Sequence, residues 1–194
     1  MFEKNINTID IQTIMVLFIV ILITSLRVIP HIENFSPLIS LAIFSSIHFR
    51  NKIFCYIALF LSLWISDFFI NNFVYNTSTN IIWFYKGFYW QYFSYLAILI
   101  LSSFFYGQKI SLKSVSILAI SSSFIFFFVT NFGFWIISDL YEKNLHGLIH
   151  CYIAGIPYIK GTIIGSFFYT YLLFGGYYLL QEKIYFLKRS HINY

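Results

Sequence analysis

"PLISLAIFSSIHF", residues 37–49, is the stretch whose reading decides the fold. It is apolar and ends at the basic run "RNK", residues 50–52. Its 13 residues span only about 20 Å as a helix, and about 20 residues are needed to cross a bilayer core. Counted as a span, it completes a set of six helices. Counted as re-entrant, it leaves five and swaps the side of every later loop. Its start is marked by Ser36 as N-cap and Pro37 in the first turn.

Just before it lies "RVIPHIENFSP", residues 27–37, which packs Arg, His, Glu, Asn and two prolines between two oily runs. Irregular backbone at membrane depth is tolerated only when it is buried in protein or lines a wet cavity. Residues 28–36 are therefore expected to replace the outer part of the short helix and to contribute to a ligand-binding mouth.

The membrane setting follows from composition. The chain has 194 residues, of which 59% are hydrophobic and 10% charged, with a mean hydropathy of +0.77. A soluble domain carries about 25% charged residues, so the excess apolar surface here needs lipid. The wealth of Phe and Tyr fits lipid contact and A/T-rich codon usage as well as ligand stacking. "MFEKNINTID" and the apolar run after it read as a retained first helix, not a cleaved signal. Cys55 and Cys151 fall near opposite faces and do not read as a disulfide.

The expected fold is an all-α integral membrane bundle of about six transmembrane helices, forming one domain over residues 1–194. The spans are 11–29, 37–49, 52–72, 88–107, 114–137 and 158–181, with an outer re-entrant or amphipathic segment at 139–157. Pro157 precedes the last span, in which Gly161 and Gly165 form a small-xxx-small pair suited to close packing. With both termini inside, the cytoplasmic segments hold Lys4, Arg50, Lys52, Lys109, Lys113, Lys183, Lys188 and Arg189. The outer segments hold Arg27, Lys86, Lys143 and Lys160. This bias gives a multi-pass protein of the inner (cytoplasmic) membrane, N-in and C-in. It also accounts for the net charge of +5 without nucleic acid.

The unusual polar residues then gather at the outer ends. An ionised Asp67 inside a span costs roughly 2.5–3.5 kcal/mol on insertion scales, and Arg27 is its natural partner. The pair either shapes a binding cavity or ties two helices together, and both roles are compatible. Asn131, with Thr130 and Gly133 beside Trp135, offers hydrogen-bonding groups near the end of the fifth span. "FYWQY", residues 88–92, opens the fourth. "HGLIHCY" sets His146 and His150 one helical turn apart, with Glu142 a turn earlier. That is the start of a metal site, but it has no HExxH base pattern. No GxSxG elbow, Walker A sequence or dinucleotide fingerprint occurs. No enzyme activity and no cofactor are expected, and any energy for transport has to come from another protein.

The order "R..P...NFSP..SLAIF", "SD", "FFFVTNFGFW" and "Y.....GLIHCY.AGIPY", covering Arg27 to about Gly175, resembles an uncharacterised family of bacterial membrane proteins. That family is similar to the substrate-capture (S) components of energy-coupling-factor (ECF) vitamin transporters. The resemblance implies a six-helix protein that binds a vitamin-like micronutrient from outside and associates with a membrane coupling subunit and two ATPases. Carried over by position, it points to Arg27, Pro30, Asn34, Phe35, Pro37, Ser66, Asp67, Asn131, Trp135, Tyr141, Gly147, Tyr152 and Pro157. The chain departs from the family pattern at Ser45, Ser46, Glu142 and Ser166.

The expectation is thus a substrate-binding transport subunit. Arg27, Asn34, Asp67, Asn131, Trp135, Tyr141 and Tyr152 would contact the ligand, and Pro30, Phe35, Ser36, Pro37, Ser66, Gly133, Gly147 and Pro157 would shape the site. The alternatives are a membrane-embedded metal-binding protein or metalloenzyme using His146, His150 and Glu142, or a structural subunit whose outer cavity is filled by its own side chains.

Overall fold

The computed structural model describes residues 21–22, 25–27, 33–49, 52–75, 80–108 and 110–190. All regular structure among them is helical: α1 Leu38–His48, α2 Lys52–Phe69, a π-helical turn Ile70–Val74, α3 Phe88–Ser103, α4 Leu112–Ile137 and α5 Leu145–Ser190. Residues 21–22 and 25–27 are helical too. The rest of the expected span 11–29, and Pro30, lie outside the described residues.

Among the described residues two helices are long and apolar enough to cross a membrane, α4 and the Leu145–Leu179 part of α5. The 26 residues of α4 rise about 39 Å, more than the roughly 30 Å of a hydrocarbon core. The surface of the bundle carries many large apolar side chains. Ile53, Phe73, Leu112, Leu145 and Ile164 are largely exposed, while the buried polar side chains are Ser and Thr hydroxyls together with Asp67.

The short helix α1 is the centre of the bundle. Every residue from Leu38 to Ile47 is buried, and α1 packs against α2, α3, α4 and α5. A helix apolar on all sides requires neighbours on all sides. Hydroxyls tie it in: Ser40 donates to the Ser166 carbonyl at 2.9 Å and accepts from Thr170 at 2.9 Å. Ser123 and Ser166 meet at 2.8 Å, drawing α4 onto α5.

Several expected boundaries move. α1 starts at Leu38, with Pro37 at the cap position and no side-chain cap there. Ser36 stands one place further out, and its hydroxyl receives the Leu38 amide at 3.4 Å. α2 widens into the π turn where Asn71 and Asn72 donate to the carbonyls of Asp67 and Phe68. α3 stops at Ser103, after which Phe105 and Tyr106 make turn bonds to Ser102 and Ser103. α4 starts two residues early because the Ser111 hydroxyl accepts from the Ser114 amide at 3.2 Å.

The largest correction concerns residues 139–157 and Pro157. No separate re-entrant element precedes a helix starting at 158, because one helix runs from Leu145 through Pro157 to Ser190. Pro157 lacks the amide that would bond the Ile153 carbonyl. Apolar bundles absorb that loss when neighbouring helices hold the chain on both sides, and α4 lies along α5 here. The helix begins after Asn144, whose side chain accepts from the Gly147 amide at 2.8 Å.

Candidate functional site

Of the irregular segment before α1, Glu33 and Asn34 are exposed and Phe35 and Ser36 are half-buried. Its backbone lies in the groove that the glycine pair leaves on α5: a Cβ on Gly161 would overlap the Glu33 carbonyl oxygen, and one on Gly165 would stand 3.0 Å from the Phe35 Cα. Asn34 takes a left-handed conformation, φ 58°, which asparagine tolerates better than most residues. The Ser36 amide then bonds back to the Asn34 carbonyl at 3.0 Å. The Phe35 ring anchors the segment against Phe168 and Tyr169 of α5.

Asn34 thereby reaches the rim of a cavity of about 400 Å³, within the range of small-molecule sites. Four chain segments enclose it: Asn34, residues 85–91 at the start of α3, residues 126–137 of α4, and Tyr158 and Thr162 of α5. Trp90, Phe126, Phe127 and Phe134 supply aromatic wall, and Gln91, Thr130, Asn131 and Thr162 supply polar groups. Gly87, the cap of α3, has φ 86°, a backbone conformation open to glycine at no steric cost. It turns the chain so that Lys86 and Trp90 both line the cavity.

Beneath the lining runs a hydrogen-bonded set. Tyr85 donates to the Gln91 side-chain oxygen, and the fully buried Tyr95 bonds Gln91 and Ser36. Burial, and next the nearby Asp67 carboxylate, push the Tyr85 phenol well above its ordinary pKa, so it stays a proton donor. Gly133 receives the Trp90 ring, where a Cβ would overlap it. The buried Trp90 Nε1 has no acceptor. Asn131 donates to the Phe127 carbonyl of its own helix at 2.8 Å, and its Oδ1 packs onto Gly155.

Arg27 and Asp67 pair at 2.6 Å, and the same guanidinium nitrogen donates to Ser66 at 2.5 Å. The pair is near enough to influence Tyr85, but it does not line the cavity. One Asp67 oxygen, Oδ2, is buried without a donor.

Of the seven expected ligand contacts, only Asn34 and Asn131 line the cavity. Trp135, in the last turn of α4, and Tyr141, beyond its end, brace the connection between α4 and α5. The Trp135 indole donates to the Glu142 carbonyl at 2.9 Å, Lys143 donates to the carbonyls of Trp135 and Ser138, and Tyr141 meets Phe134 edge-on. Gly147 leaves room for the Glu142 carbonyl beneath it. Tyr152 spends its hydroxyl on the Phe128 carbonyl at 2.9 Å, joining α5 to α4.

Sequence reasoning noted Trp90 and Gln91 only as part of "FYWQY", and did not reach Tyr85, Tyr158 or Thr162. His146 and His150 do converge, with ring nitrogens 3.4 Å apart. Glu142 turns to Asn144 instead, at 2.7 Å, and no group of three metal-ligating side chains occurs among the described residues.

A family described as of unknown function (DUF6580) matches residues 7–189. No curated protein matches the chain, and no solved structure does.

Proposed function

The chain belongs to that family of unknown function, and we propose that it is the substrate-binding subunit of an uptake system for a vitamin-like micronutrient. The carrying observation is the cavity at one end of the bundle, where aromatic wall and amide and hydroxyl groups from four separate segments converge. Such a mixture of apolar lining and a few fixed polar groups is the usual make-up of a small-molecule site. A purely structural subunit would have filled this space with side chains.

In this reading the protein crosses the cytoplasmic membrane six times with both termini inside, and the cavity opens outward. Asn34, Gln91 and Asn131 orient the ligand, Trp90 and Phe127 pack on it, and the Arg27–Asp67 pair holds the first helix against α2. Cargo release is driven by a coupling subunit and two ATPases, in keeping with a chain that has no nucleotide motif of its own.

Mass spectrometry of small molecules released from the purified protein tests this. The expected result is one compound near stoichiometric amount in the wild type, lost in Gln91→Ala with Asn131→Ala at unchanged thermal stability. Equal recovery from both proteins, or none from a folded wild type, overturns the proposal.

A further inference from the structure

The cavity lining narrows the class of ligand, an inference that rests on the binding reading above. Among the described residues Lys86 is the one charged side chain in the lining, and none of them there is a carboxylate. The ion pair among the described residues is Arg27–Asp67, so no acidic side chain there neutralises Lys86. Lys86 also stands immediately before the Gly87 cap of α3, at a helix N-terminus, where the helix dipole favours a negative charge.

A cation held at a cavity mouth without a counter-charge favours a guest that supplies one. A single lysine is a point charge and has no fork for bidentate capture, and no second cation among the described residues lines the cavity. That matches one negative charge better than the two of a phosphate monoester. The rest of the wall is Trp90, Phe126, Phe127 and Phe134, faces suited to a flat ring.

We infer that the cavity takes an aromatic or heteroaromatic monocarboxylic acid, its carboxylate paired with Lys86 and its ring against Trp90 and Phe127. The shared chemistry, an anion on a ring, could also come from a phosphate ester, and the test separates the two.

Full-length protein in detergent is titrated with matched probes and its thermal midpoint followed: 2-naphthoate against 2-naphthamide, indole-3-acetate against indole-3-acetamide, and 1-naphthyl phosphate. The acids should bind at least tenfold tighter than their amides and more tightly than the phosphate. Lys86→Gln should bring the acids down to the level of the amides, while Lys113→Gln, at the start of α4 and outside the lining, should leave the preference intact.

Acids no better than amides, a preference that survives Lys86→Gln, tighter binding of the phosphate, or no binding by any probe would each overturn the inference. A neutral or cationic compound released from the purified protein would also remove it while leaving the binding function standing. Absence of any released compound is the failure that strikes the function itself.

Discussion

The carbonyl oxygen of Glu33 rests directly on Gly161, with no room between them for a methyl group. This close approach makes the glycine a test of how the irregular segment is held. Gly161→Ala has to push backbone, not a flexible side-chain tip, and overpacking of that kind typically costs about 1–3 kcal/mol. The variant should melt earlier and lose ligand, because Asn34 moves with Glu33. Gly175, where an added methyl group would meet nothing within 4 Å, is the control: Gly175→Ala should be neutral or slightly stabilising. Equal melting of the two variants would refute the packing of 33–36 on α5.

Arg27 and Asp67 form a largely buried pair, and removing one member strands the other. Asp67→Leu should cost about 3–5 kcal/mol through the unpaired guanidinium. The double variant Arg27→Met, Asp67→Leu should be more stable than either single one, since no charge is then left without its partner. Unfolding midpoints of the four proteins in detergent measure this. Strictly additive losses would mean that the two side chains do not interact.

The parts of the fold legible in advance were those where polarity is costly. Irregular backbone before α1 needed protein around it, and its described part, residues 33–36, packs on Gly161 and Gly165; Asp67 required a cation from the same end, which Arg27 supplies. The path of α5 through Pro157 was hidden because proline marks a boundary only where nothing else holds the helix. The cavity was half legible. Asn34 and Asn131 announce themselves as polar groups in an oily chain, whereas Trp90, Tyr158 and Thr162 depend on how α3 and α5 are rotated. Both lipid and bundle interior accept apolar side chains, so hydrophobic periodicity sets no phase. Buried hydroxyls such as Ser40, Ser123 and Ser166 mark the inner face instead, and close helix contacts in membranes favour such small residues.

Trp90 lies over Gly133 and lines the cavity, so the glycine sets the position of one wall. Gly133→Ala would displace the indole. Ligand affinity should fall about tenfold or more, and tryptophan emission should shift, with the helical circular dichroism signal unchanged. Unaltered affinity would remove Trp90 from the site.

The loop carrying Tyr85 and Lys86 is fastened to the π turn by Asn72. Asn72, in the π turn, donates to the Ile82 carbonyl and accepts from the Ile82 amide, both at 2.7 Å. Trp83 lies beside Trp64 and Phe68 of α2. Each hydrogen bond of this kind contributes about 0.5–1.5 kcal/mol, so Asn72→Leu should raise amide exchange across residues 80–87 by about 10- to 100-fold. Exchange in α4, which Asn72 does not bond, should not change. Because the loop brings three lining residues to the cavity, bound ligand should also dissociate faster from this variant, with a smaller effect on its association rate. A loop whose exchange is unaffected would mean that the stacked tryptophans alone hold it, and Trp83→Ala should then reproduce the predicted loosening.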